Sequence, residues 1–189
     1  MLQVEEIFRD LPELETERLR LIKPSLDRTE ELFVFAGDPE ATEFMTWETN
    51  KSPEQTRNAI IYMMGLHQRA EVAPWLILHK ETDRVIGMTG YNVWIQRHGR
   101  AEIHYALARP WWGQGLATEA VRAVLGFGFE RMELNRIEAM VHPRNTASRR
   151  VLAKVGMVEE GLLREALVCR GVPTDHLICS IVRREWGRG

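Results

Sequence analysis

The sequence predicts an α/β domain built on a mixed, mostly antiparallel sheet with one central parallel strand pair, flanked by helices. Three observations lead there. Pro74–His79, Val85–Ile95 and Ala101–Ala108 are apolar runs separated by short polar turns, the pattern of hairpin-linked antiparallel strands. A strand, a glycine turn at Gly113-Gln114-Gly115, a helix and a compact apolar strand at Arg136–Val141 then follow, which makes that neighbouring pair parallel. Two further runs, Val158–Val168 and Thr174–Val182, close the chain through Arg170-Gly171-Val172-Pro173. With no Pro-, Gly- or Ser-rich divider and no internal repeat, residues 1–189 read as one domain.

Taken in order, an acidic stretch containing Glu5, Glu6, Asp10, Glu13, Glu15 and Glu17 precedes a first strand at Leu19–Ile22. Pro24-Ser25 introduces a helix over residues 26–36, with Leu32, Phe33 and Ala36 on one face and Gly37-Asp38-Pro39 ending it. Phe44 and Trp47 lie in a polar loop and fit a binding surface and a structural peg equally well. Ser52-Pro53-Glu54-Gln55 has the form of a helix start, and that helix runs to about Arg69 with Ile60, Ile61, Met64 and His67 towards its buried side. After the three hairpin strands and the glycine turn, a helix over 118–132 carries Val121, Val124, Leu125 and Met132 at helical spacing, with Gly128 on the same stripe. Asn145 can cap a further helix whose Val151, Leu152 and Val155 face inward and which stops at Gly156.

Composition narrows the function classes. Of 189 residues 44% are hydrophobic and 28% charged, ordinary for a globular protein, and the net charge of -2 gives no whole-chain reason to bind nucleic acid or an anionic membrane. No apolar run approaches the ~20 residues of a membrane helix. The acidic N-terminus is the opposite of a secretory signal. Cys169 and Cys179 suggest neither a disulfide framework nor a metal site, so a cytoplasmic protein without a metal is expected.

The glycine turn is the stretch most suggestive of chemistry. Backbone N–H groups at a helix start lack helical partners, and the dipole there favours an anion. On spacing alone Gly113-Gln114-Gly115 fits a phosphate cradle and a mere tight connection equally. It is no Walker loop, since no Gly-Lys-Ser/Thr follows, and the glycines of a dinucleotide fingerprint are incomplete.

Its neighbours add a resemblance. Leu11-Pro-Glu-Leu-Glu-Thr-Glu-Arg-Leu19, Ala101-Glu-Ile-His-Tyr105, Trp112-Gly-Gln-Gly-Leu-Ala-Thr-Glu-Ala120, Asn145-Thr-Ala-Ser148 and Leu152-Ala-Lys-Val-Gly-Met157 stand in one order along nearly the whole chain. In these motifs the chain resembles the GNAT superfamily of acetyl-CoA-dependent N-acetyltransferases, and within it the RimJ/RimL branch that acetylates ribosomal-protein N-termini. The resemblance implies acetyl-CoA as co-substrate, with Trp112 where the family usually has Gln or Arg. It implies a pyrophosphate held by the amides of Gln114, Gly115, Leu116, Ala117, Thr118 and Glu119. It further implies pantetheine paired with the exposed backbone of Leu107, Ala108 and Arg109, one of whose N–H groups faces the thioester oxygen. Asn145 matches a cofactor contact, and its role as helix cap is an equal reading.

The reaction needs an uncharged amine and a proton for the departing thiolate. Glu102 resembles the strand glutamate used as base in histone-type members. His104, two residues on and on the same strand face, and Glu138 on the next strand are alternatives, and each of the three can equally be structural. Ser148, matching the RimJ/RimL serine, could protonate the thiolate, although Ser is ordinary at that helix position. Tyr105 is a weaker acid candidate, on the opposite strand face and suited to the core. The related RimI branch uses a glutamate and a tyrosine whose positions here are Met140 and Leu152, so RimI-type catalysis is not expected. The family places the acceptor between the loop before the second helix and the last hairpin turn, here Phe44, Trp47, Arg170 and Pro173. The branch likeness favours a protein N-terminal amine by direct attack in a ternary complex. A small amine such as a polyamine or antibiotic, and a non-catalytic acyl-CoA sensor, are the alternatives. A homodimer is compatible with the sequence.

Overall fold

The computed structural model describes residues 3–187. One eight-stranded sheet runs in the order β1-β2-β3-β4-β5-β6-β8-β7. Its strands are β1 (Leu14–Glu15), β2 (Leu19–Ile22), β3 (Pro74–His79), β4 (Arg84–Ile95), β5 (Arg100–Leu107), β6 (Arg136–Val141), β7 (Val158–Cys169) and β8 (Val172–Val182). Every neighbouring pair is antiparallel except β5–β6, the parallel pair that a strand–helix–strand crossing requires. The helices are α1 (Val4–Phe8), α2 (Thr29–Ala36), α3 (Pro53–Gln68), α4 (Leu116–Glu130) and α5 (Thr146–Lys154).

Alternation along the strands sorts side chains into two cores. On one face Ile103 and Leu107 of β5 and Ile137, Ala139 and Val141 of β6 pack with Val121, Val124 and Leu125 of α4 and Leu152 of α5. On the other, Leu76, Leu78 and Val85 pack with Leu32 and Phe35 of α2 and Ile60 and Met63 of α3. β3 is buried along its whole length because helices cover both of its faces.

Several boundaries and faces differ from the sequence reading. The acidic N-terminal stretch forms α1 and β1, whose Phe8 and the following Leu11 are fully buried. In α3 the buried stripe is Thr56, Ile60 and Met63, spaced four and three residues apart, while Ile61 lies a hundred degrees round the helix and is 45% exposed. Similarly, Phe35 rather than Phe33 is buried in α2. Ser52 precedes α3 without a side-chain cap bond; the Gln55 side chain instead accepts from the Lys51 N–H at 2.6 Å. The helix after the glycine turn begins at Leu116 and β5 ends at Leu107, shifts of a residue or two that matter at the site below.

Gly87 explains why the end of β5 stays on β4. A Cβ there would stand 2.1 Å from the Ala106 carbonyl oxygen, so the two backbones approach too closely for any side chain. Gly87→Ala is therefore expected to destabilise the fold by about 1–3 kcal/mol through forced backbone displacement. Urea unfolding measures it; a midpoint unchanged from wild type would contradict the close approach.

Candidate active site

β5 and β6 pair only from Arg100↔Arg136 to Glu102↔Glu138. Beyond that point β5 follows β4 as far as Leu107↔Gly87, and β6 follows β8 to Val141↔Leu177. Ile103, Tyr105, Ala139 and Val141 consequently line a cavity of about 740 Å³ instead of facing a partner strand. Antiparallel strands point successive N–H groups to alternate sides. The Ala108 N–H donates to the Ile86 carbonyl at 2.8 Å, so beyond the last β5–β6 pair the amides of Tyr105 and Leu107 point into the gap. The Leu107 carbonyl is already engaged by the Trp112 indole N–H at 2.7 Å. Of the three residues expected along the pantetheine, Leu107 thus offers a free amide, whereas the Ala108 amide is committed to β4. Arg109 has left the strand for a 3-10 turn, and its guanidinium bridges Asp38 and, at 3.0 Å, Glu40.

The glycine turn delivers its amides to the same end of the gap. Gly113 and Gly115 have φ of 74° and 80°, a left-handed conformation costly for other residues, and Gly115 is the residue before the first turn of α4. The first rung of the helix runs from the Glu119 N–H to the Gly115 carbonyl at 3.1 Å. The Leu116, Ala117 and Thr118 amides lie inside that rung with no helical acceptor, and Gln114 and Gly115 sit in the turn itself. The Glu119 amide, unlike these, is already committed within the helix. The Glu119 carboxylate takes hydrogen bonds from the Thr16 hydroxyl (2.6 Å), the Arg18 N–H (2.8 Å) and the Arg18 Nε (2.8 Å). Partial burial pushes this carboxyl up, but the bonds from Thr16 and Arg18 outweigh it and hold it below the usual carboxylate range. Arg18 also donates to the Gln114 carbonyl at 3.0 Å, tying the turn to the N-terminal segment. Gly87, Arg18 and Thr16 support this arrangement structurally, a role that the motifs did not assign to them.

The candidate catalytic groups flank the gap on opposite sheet faces. Glu102 faces α2 and α3 on the cavity wall, its carboxylate accepting from Asn92 Nδ2 at 3.0 Å. Asn92 is the extra residue of a bulge between Tyr91 and Val93, a local distortion that aims its amide at Glu102. His104 follows on the same face. Its two ring nitrogens are buried without a hydrogen-bond partner, and burial pushes its pKa down to about 4, so the ring is neutral near pH 7. Across the sheet, Ser148 Oγ lies 2.7 Å from Tyr105 Oη, which also donates to the Ser148 carbonyl at 3.1 Å. Burial pushes the Tyr105 phenol far up, so it keeps its proton. Tyr105, read from sequence as core, is thereby brought to the cavity beside Ser148; its alternate-face position is the signal that could have paired the two. Asn145 accepts the Ser148 N–H through Oδ1 at 3.0 Å as a helix cap, and it also lines the cavity. Glu138 is held by Arg136 at 2.6 Å and Arg100 at 3.6 Å, an arrangement that suits structure rather than proton transfer.

Phe44 and Trp47 form part of the same cavity wall, Trp47 edge-on to Phe35 with ring centroids 5.9 Å apart. Met140 lines the cavity as well, while Leu152 is buried in the core. Arg170 does not meet an acceptor there. Its guanidinium donates to the Thr42 carbonyl at 2.5 Å, latching the β7–β8 hairpin tip onto the loop that carries Phe44. Pro173, beside Val168 in that hairpin, is likewise a framework residue.

Residues 18–158 match the acetyltransferase (GNAT) domain family. The chain belongs to that family. GNAT relatives include the uncharacterized N-acetyltransferase p20 of Bacillus licheniformis, 39% identical over 173 residues that cover 92% of this chain and 97% of the relative. The [ribosomal protein uS5]-alanine N-acetyltransferase of Escherichia coli is 23% identical over 124 residues, 65% of this chain and 64% of its own. Among solved GNAT structures, Mycobacterium smegmatis RimJ in complex with CoA-disulfide superposes with a TM-score of 0.76 at 27% identity, covering 90% of this chain and 85% of that one. GNAT enzymes take acetyl from acetyl-CoA, and the free amides at Leu107 and Leu116–Thr118 suit a pantetheine amide and a pyrophosphate. Gly115→Val would force a β-branched residue into φ near 80° and set its side chain against Arg18. Calorimetric titration with CoA is expected to show at least about tenfold weaker binding, from turn strain of about 1–3 kcal/mol and blocked amides; wild-type affinity in the folded variant would remove the turn from the binding site.

Proposed function

We propose that this GNAT enzyme transfers acetyl from acetyl-CoA to the N-terminal amine of a protein, by direct attack within a ternary complex. The observation that carries this reading is the gap between β5 and β6. The Leu107 amide points towards it, and its lining has a carboxylate on one sheet face and a hydroxyl pair on the other. Glu102, oriented by Asn92, takes a proton from the entering ammonium, directly or through one water. The neutral amine then bonds to the thioester carbon. The Leu107 N–H faces the oxygen as negative charge develops on it. As the intermediate collapses the C–S bond breaks, and the Ser148 hydroxyl, backed by Tyr105, gives the sulfur its proton. Loss of the second amine proton leaves the acetamide, free CoA thiol and one proton in solution. Holding amine and thioester together supplies much of the acceleration without any dedicated group.

The protein N-terminal acceptor is supported by the names of the RimJ and uS5-alanine relatives. Localisation in the cytoplasm accords with such an acceptor. A small-molecule amine is the second reading, favoured by the apolar wall of Phe35, Trp47 and Met63 beside Glu102.

Glu102→Gln is expected to lower kcat/KM by about 10²-fold or more near neutral pH. The optimum should move upward, because only amine already deprotonated in solution then reacts, while acetyl-CoA affinity stays at the wild-type value. Initial rates of thiol release across pH, with N-terminal peptides and simple amines as acceptors, check this. An unchanged pH–rate profile would remove Glu102 from the role of base.

A further inference from the structure

The acceptor side of the cavity is chemically one-sided. Its wall includes three carboxylates, Glu48, Glu71 and Glu102, and neither a lysine nor an arginine. Of the three, Glu71 is paired with Arg69 at 2.9 Å; Arg144 lies over the face of Phe44 and pairs with Glu43 at 3.6 Å, and Arg170 is spent on the Thr42 carbonyl. Glu48 and Glu102 have no cationic partner. His104 is kept neutral by burial, and His142 is pushed down by burial first and then by the charges of Arg144 and His176.

The remaining wall is apolar and aromatic. Trp47, Met63, Leu66 and Met88 lie on the α2–α3 side, and Phe44 stacks on His142 with centroids 5.0 Å apart. The unpartnered ring nitrogens of His104 stand beside Glu102 on this same side, buried polar groups for which the protein itself provides nothing.

We propose that the acceptor is a primary ammonium carried on an uncharged, apolar or aromatic body, and that the cavity rejects acceptors bearing a carboxylate or phosphate near the amine. In a peptide this means an N-terminus whose first two side chains carry no negative charge. This deepens the acetyl-transfer reading above and rests on it. The ammonium is drawn to Glu102 and Glu48, and the body is desolvated against Trp47, Met63 and Phe44. A carboxylate beside Glu48 and Glu102 would meet like charges with no cation among the lining residues, which is discrimination by repulsion rather than by shape.

Three amines with one ring separate these effects: 2-phenylethylamine, phenylalaninamide and phenylalanine. Each is assayed for thiol release with acetyl-CoA and titrated calorimetrically into the intact protein saturated with CoA. The two uncharged-body amines are expected to exceed phenylalanine by at least about tenfold in both kcat/KM and affinity. In Glu48→Lys that gap should narrow, through improved use of phenylalanine. Equal affinity for phenylalanine and 2-phenylethylamine would overturn the proposal. Absence of thiol release with every amine, alongside the expected order of affinities, would instead contradict acetyl transfer and leave the recognition chemistry supported.

Discussion

Everything that makes this sheet a site follows from two parallel strands that stay together for only three residue pairs. β5 and β6 part after Glu102 and Glu138 because each is held more firmly by its other neighbour. Hydrogen-bonding capacity that would have closed a ladder is left facing a cavity, a costly arrangement unless something with amide groups occupies it. Pantetheine has such groups. The parting therefore suits a ligand of that kind.

Separate devices keep the gap open and aligned. Gly87 lets β5 press against β4, and the Trp112 indole caps the Leu107 carbonyl at the strand's end. Glu119 and Arg18 then fix the start of α4 relative to β2, so the turn amides and the strand amide belong to one rigid surface. Across the gap, Tyr105 reaches from β5 to Ser148 at the first turn of α5 and spans the opening with side chains where backbones no longer meet. The catalytic candidates thus sit on elements whose positions are over-determined, as short-range proton transfer demands.

Most elements were legible as apolar runs or helical stripes bounded by turn residues. β2, β3 and β6 fall on the expected residues, and α3, α4 and α5 within two. α1 and β1, of five and two residues, are too short for periodicity to register. Ile61 misled because an apolar residue beside Ile60 need not share its face. At the site, two of the amides expected to face the cofactor, those of Ala108 and Glu119, are bonded within the protein. Whether Ala108 bonds to β4 and whether Glu119 closes the first helical rung depend on strand register and on where α4 begins, neither of which a motif records. Arg170 suggested acceptor binding by its type and place, yet its guanidinium bonds to the Thr42 loop carbonyl, which also accepts the Met45 N–H. Side-chain commitments made 128 residues apart, as between Arg170 and Thr42, leave no local trace in sequence.

The central claim is that the free amides of the parted strand and of the glycine turn are what CoA binds. Amide-resolved hydrogen exchange, with and without saturating CoA, tests it most directly. Exchange at Leu107 and at Leu116, Ala117 and Thr118 should slow strongly on binding, while Ala108 and Glu119, already bonded within the protein, change little. Protection gathered elsewhere, with Leu107 and the turn amides exchanging as in the free protein, would contradict the account.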